Sequence, residues 1–115
     1  MNDIKVRFQQ WNCIAVFGLY DNLRLAIQLL DEEDKDLVAT ATVNLPDEEL
    51  QWGLVLVKGY SENEGMEQAL IDAGIIHPEV KTTKASGHVL IKGYEITDEV
   101  KEIYDYMLSD IEDFN

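Results

Sequence analysis

Alternation of apolar and polar residues runs through the first half of the chain and predicts strands. In IKVRF, Ile4, Val6 and Phe8 fall on one side. CIAVFGLY, Cys13 to Tyr20, is a mostly apolar run with aromatic and β-branched residues, the composition of a strand. Asp21-Asn22 then suits a tight turn, with Asn22 tolerating positive φ. In LRLAIQLL, Leu23, Leu25, Ile27 and Leu29 share one face, while Arg24 and Gln28 take the other. DEEDKD, Asp31 to Asp36, is a polar connection. LVATATVN resumes the pattern, with Leu37, Ala39, Ala41 and Val43 facing one way and Thr40 and Thr42 the other. The expectation is an antiparallel meander from Cys13 to Asn44.

Pro46 ends that meander, because proline cannot donate to a ladder. LPDEELQW reads as one helical turn and GLVLVKGY as another strand. Ser61 is the expected N-cap of a helix from Asn63 to Ala73, with Met66, Ala69, Leu70 and Ala73 on its apolar side and Gly74 as its C′ residue. IIHPEVKTTKASG reads as a loop with at most a short edge strand, and HVLIKGYEI as the last strand. Thr97 caps a final helix, DEVKEIYDYMLSDIED. LVLVKGYSENEG and HVLIKGYEITDE share a Lys-Gly-Tyr step in which Gly59 and Gly93 mark bends or bulges. Together these elements predict one α+β domain over residues 1–115: an antiparallel sheet of about five or six strands with two helices packed on it.

Charge changes the picture more than any motif. The chain carries 23 acids against 9 bases, a formal net charge of −14, with an ordinary apolar fraction of 46%. Such a field repels nucleic acid and anionic membrane and attracts basic partners. Cys13 is the lone cysteine, which excludes an internal disulfide and points to the cytoplasm. The opening MNDIKVRFQQ does not read as a signal peptide, and no apolar stretch approaches the ~20 residues of a membrane span.

The middle of the chain resembles a family of small uncharacterised acidic proteins encoded on bacterial mobile elements and phages. The residues that carry the resemblance are Leu25-Ala26-Ile27, Asp31, Asp34, Thr42-Val43-Asn44-Leu45-Pro46, EGMEQALIDAGIIHP and SGHVLIKGYEI. The chain departs from that pattern at Lys35, where the family has glycine, and in the acidic helix after Thr97. The resemblance implies an α+β fold and carries over no catalytic residue. Accessory proteins of such elements often counter host defences, so it also implies an inhibitor.

No constellation carries catalytic or metal chemistry. DEEDKD fails as a calcium loop, because Lys35 and Asp36 occupy places where an oxygen ligand and a glycine are needed. Cys13, His77 and His88 are the only nucleophile and base of the cysteine–histidine type, and nothing local brings them together. We therefore expect no enzyme, no cofactor and no metal.

The final helix is the informative element. Val100, Ile103, Tyr104, Met107, Leu108 and Ile111 form an apolar stripe at i, i+3, i+4 spacing. Asp98, Glu102, Asp105 and Glu112 line another side, broadened by Asp110 and Asp113. The i+3 and i+4 steps of this side, with Ser109 between Asp105 and Glu112, advance ~5–6 Å along the axis, comparable to the ~6–7 Å between phosphates along a DNA strand, whose axial rise is ~3.4 Å. Outer helix faces usually mix lysine with glutamate, yet Lys101 is the only base after Lys92. A merely solvated face is the competing explanation. The sharper expectation is an inhibitor that binds a basic, nucleic-acid-binding host-defence protein of restriction or CRISPR type. Its contact residues are Asp98, Glu102, Asp105, Tyr106, Asp110, Glu112 and Asp113, with Asp31, Glu32, Glu33 and Asp34 as a second patch. Tyr106 and Trp52 are candidate anchors, although core packing also accounts for Trp52. The alternative is a structural or regulatory protein that self-associates as a homodimer or docks a partner other than a nucleic-acid binder.

Overall fold

Period-two burial builds the first sheet as expected. A computed structural model describes residues 3–112. In it β1 (Lys5–Phe8), β2 (Trp11–Leu19), β3 (Leu25–Asp31) and β4 (Leu37–Thr40) pair antiparallel in that order. Val6, Phe8, Cys13, Ala15, Leu25, Ile27, Leu29 and Ala39 are buried on its inner face. The β2–β3 loop is Asp21 to Leu23, and its left-handed residue is Leu23 (φ 69°), not Asn22. Asn22 is held by its side chain instead, which accepts from the Arg24 N–H at 3.3 Å and donates to Asn44 Oδ1 at 3.1 Å. Leu23 is consequently exposed and does not share the face of Leu25.

Thr42 does not point outward with Thr40. The β3–β4 register shifts at Leu29/Leu30, and beyond Thr40 the chain crosses to the second sheet. Ala41 and Thr42 are therefore both buried. Thr42 bridges to Val57, and its hydroxyl bonds the Tyr20 hydroxyl at 2.8 Å and accepts from the Ile27 N–H at 3.2 Å. The single helical turn expected in LPDEELQW is a turn closed by Glu48 N–H to the Leu45 carbonyl. The Arg24 guanidinium takes the Leu45 and Glu48 carbonyls, which gives this segment a non-helical hydrogen-bonding solution.

The second sheet holds β5 (Leu54–Val57), β6 (Ile76–Ser86) and β7 (Val89–Ile96) in the order β5-β7-β6. The fold thus has seven named strands among the described residues, and the segment read as a loop is an eleven-residue strand. Its side chains are almost all exposed, so backbone pairing to β7, not burial, makes it a strand. Pro78 is accommodated because β6 is an edge, with β7 on one side only.

Ser61 does not cap a long helix. A short 3₁₀ turn, Ser61–Asn63, precedes α1 (Met66–Asp72), with Gly65 at φ 91° between them. Asn63 is buried and donates to the Thr40 carbonyl at 2.7 Å, which draws this turn inward and separates it from α1. At the other end Gly74 N–H bonds Ile71 O and Ile75 N–H bonds Leu70 O, the paired stop of a glycine-ended helix. α1 touches both β1 and β6, and α2 (Asp98–Glu112) packs on β2. One core takes Ile27 and Leu29 from the first sheet, Val55 and Tyr94 from the second, Met66 and Leu70 from α1, and Val100 and Tyr104 from α2.

The two Lys-Gly-Tyr steps meet at Glu67. Its carboxylate accepts a hydrogen bond from the Tyr94 hydroxyl. A Cβ on Gly59 would meet that same carboxylate. Burial first, then the hydrogen bond to Glu67, raises the Tyr94 phenol well above its ordinary value. The neutral phenol is thus favoured in the fold: its contribution is fully present below pH ~10 and is lost as pH rises through the folded value. In an alkaline absorbance titration, the Tyr94 phenolate is expected to appear only with unfolding. Tyr94→Phe should remove that part of the signal; a Tyr94 signal that rises while far-ultraviolet circular dichroism holds would contradict this.

Gly93 lies opposite a register shift in β6. A Cβ there would sit 2.5 Å from Thr82 Cγ2 and 3.2 Å from Leu56 Cδ2. Gly93→Ala is expected to cost about 1–3 kcal/mol by overpacking. Thr82→Ser removes the clashing methyl, and a denaturant double-mutant cycle should show it recovering part of the loss.

Candidate acidic interface

α2 places its acids by simple helix geometry. At about 100° per residue, Asp98, Glu102 and Asp105 fall within a narrow arc. Asp98, Glu102, Asp105, Asp110 and Tyr106 are all exposed, Tyr106 by 71%. Val100 and Tyr104 are buried on the opposite arc, with Ile103, Met107 and Leu108 half-buried beside them. The Tyr104 hydroxyl donates to the Leu23 carbonyl at 2.6 Å and so fixes the middle of the helix on the β2–β3 turn. Asp113 lies outside the described residues, as does the side chain of Glu112.

Lys101, the one base on the helix, does not serve the acidic row. Its ammonium bonds Glu95 at 2.6 Å. That hydrogen bond, ahead of all other causes, lowers the Glu95 carboxyl and raises the Lys101 ammonium from their ordinary values. Trp52 stacks on Tyr104, with ring centroids 5.9 Å apart and planes 15° from parallel, yet remains 54% exposed. It is neither a core residue nor free, but a half-open ring laid on the buried Tyr104. Only the tertiary stack reveals the place of Trp52.

The second acidic patch is divided. Asp31 is half-buried, and its Oδ1 accepts from the backbone N–H groups of Glu33 (2.8 Å) and Asp34 (3.4 Å). Glu32 pairs with Lys5. Glu33 and Asp34 are exposed, and Asp34 accepts from the Asp36 N–H at 2.9 Å. Asp31 and Glu32 therefore shape the turn, while Glu33 and Asp34 are presented. Tyr104 anchors α2 at Leu23, just before β3, whereas Asp31 ends β3, ~20 Å along the strand from Leu25 at ~3.3 Å per residue. Lys35, at φ 64°, holds the left-handed position of this turn, the conformation that favours glycine.

The other candidates stay apart. Cys13 is buried, and burial, then Asp31, pushes its thiol up and keeps it protonated. His77 and His88 are exposed on β6 and at the β6–β7 turn. Among the described residues no group of three or more His, Cys, Asp or Glu could hold a metal ion, and no helix is long and apolar enough to cross a membrane. Comparison of the chain with protein-family models, with curated proteins and with solved structures finds no match.

Proposed function

We propose that this protein is a non-catalytic binding module whose α2 face occupies the nucleic-acid-binding surface of a basic protein. The observation that supports the reading is the exposed row Asp98, Glu102 and Asp105, with Asp110 beside it, on a helix whose one lysine is committed to Glu95. Carboxylates on a rigid helix are pre-ordered, so a partner binds them without the cost of freezing a flexible tail. Tyr106, exposed on the same helix, supplies apolar contact. The target class is a nucleic-acid-binding effector of host defence, and the mode is occlusion without turnover.

The test is capture of bacterial host proteins on the immobilised chain at low salt, followed by elution with duplex DNA. A basic protein released by DNA, and progressively by salt as the screening length falls to about 10 Å at 0.1 M, is the expected result. Partners that resist both eluents would overturn the reading.

A further inference from the structure

Basic residues are scarce in this chain, but three of the nine lie in the β6–β7 hairpin. From Val80 to Tyr94 the sequence holds Lys81, Lys84 and Lys92 and no acid at all. Elsewhere nearly every base has a partner: Lys5 pairs with Glu32, Lys58 with Glu62 and Lys101 with Glu95. Arg7, Arg24 and Lys35 are hydrogen-bonded. Among the described residues, Lys84 and Lys92 have neither an ion-pair nor a hydrogen-bond partner, although acids outnumber bases 23 to 9. Lys92 is exposed, which is ordinary for lysine; Lys84 is half-buried.

Lys84 lines a groove of about 530 Å³. Leu50, Gln51 and Leu54 come to it from the segment leading into β5, and Lys81 and Thr82 join Lys84 from β6; Glu49 lines it too. Residues paired across a sheet share a face. Lys84 pairs with Ile91 and Thr82 with Gly93, which in turn pairs with Leu56, so these residues lie together on the face opposite the main core. The groove carries two lysines along β6, and its other wall mixes Leu50 and Leu54 with Gln51 and Glu49. Lys81, paired with Glu79 at 3.4 Å on the surface and near enough to Glu95 to help lower its carboxyl, adds the second charge.

We infer that this groove docks the acidic face of α2 from a second copy of the chain. Charge complementarity selects the occupant: the groove offers Lys81 and Lys84 three residues apart on a strand, a span of ~10 Å, and α2 offers Asp98 and Asp105 seven residues apart on a helix, a span of ~10.5 Å. The inference rests on α2 being a recognition face. It adds a consequence, because a second copy and a basic partner compete for the same acids. Self-association then masks the face at high protein concentration.

Two chains of charge −14 also repel each other over long range, and this sets a distinctive salt dependence. The screening length is ~30 Å at 0.01 M, ~10 Å at 0.1 M and ~3 Å at 1 M. Association is weak at the lowest salt, strongest near 0.1 M, where only contact-range attraction survives, and weak again near 1 M. Binding of a basic protein falls steadily over the same range.

Sedimentation velocity of the full chain across this salt series tests the inference. The expected result is a maximum in average mass at intermediate salt. Lys84→Glu and Asp105→Lys should each weaken association by about tenfold or more, and the combined swap Lys84→Glu/Asp105→Lys should restore it. Lys92→Glu, on the other face, should leave it unchanged, and circular dichroism checks that every variant is folded. A monomer at all salts, or association indifferent to Lys84→Glu, overturns the inference. If that happens while DNA still releases a captured basic protein, the proposed function stands alone; if association follows the swap but no basic protein is captured, the proposed function is the one that fails.

Discussion

Glu102→Lys/Asp105→Lys is expected to weaken binding to a basic nucleic-acid-binding partner by about 100-fold or more, ~2.8 kcal/mol. The expected loss is large because each reversal removes an attraction and adds a repulsion at one spot, and like charges facing each other cost far more than an absent contact. The fold should stand, because both side chains are exposed and lysine is as good a helix former as glutamate. Circular dichroism and denaturant midpoints check that. A matched control, Asp47→Lys/Glu64→Lys, alters net charge equally at exposed positions outside α2. It should change affinity only a few-fold. Equal losses from the two pairs would mean that net charge, not the helix, does the binding. Glu33→Lys/Asp34→Lys measures separately what the distant turn contributes.

Leu70→Ala is expected to cost about 2–5 kcal/mol, a large share of the ~5–15 kcal/mol by which a domain is stable. Leu70 is fully buried on α1, the helix that touches both β1 and β6. The cavity therefore opens where one short helix joins the outer strands of two sheets. Urea unfolding measures the loss, and hydrogen exchange should show β1 and β6 opening first. Leu90→Ala removes the same atoms at a position 68% exposed and should change stability by no more than ~0.5 kcal/mol.

The elements that read correctly in sequence are those whose own side chains carry the pattern. Val6 and Phe8, then Leu25, Ile27 and Leu29, alternate into the core, and Val100 and Tyr104 bury the helix stripe. The misreadings share one cause, hydrogen bonding that the side-chain pattern does not record. β6 is a strand because β7 pairs with it, and its exposed side chains give no such signal. Thr42 turns inward because Tyr20 and Ile27 satisfy its hydroxyl. Ser61 loses its capping role because Asn63 reaches Thr40. The acidic row was legible from helical spacing alone. The split of Asp31 and Glu32 from Glu33 and Asp34 was not, since it depends on Lys5 and on the local turn. The lysine groove left a trace, the acid-free run from Val80 to Tyr94, but its cationic meaning needs the fold.

The order β5-β7-β6 has a consequence for synthesis. β7 is the central strand of the second sheet, follows β5 and β6 in sequence, and pairs with both. A chain growing on the ribosome can close the β1–β4 meander early, but β5 is held only through its bridge to Thr42, and β6 by no ladder, until Val89 to Ile96 follow. Until then the apolar side chains of Val55, Val57 and Ile76 lack the completed sheet that buries them, so assembly of the second sheet waits on the synthesis of β7.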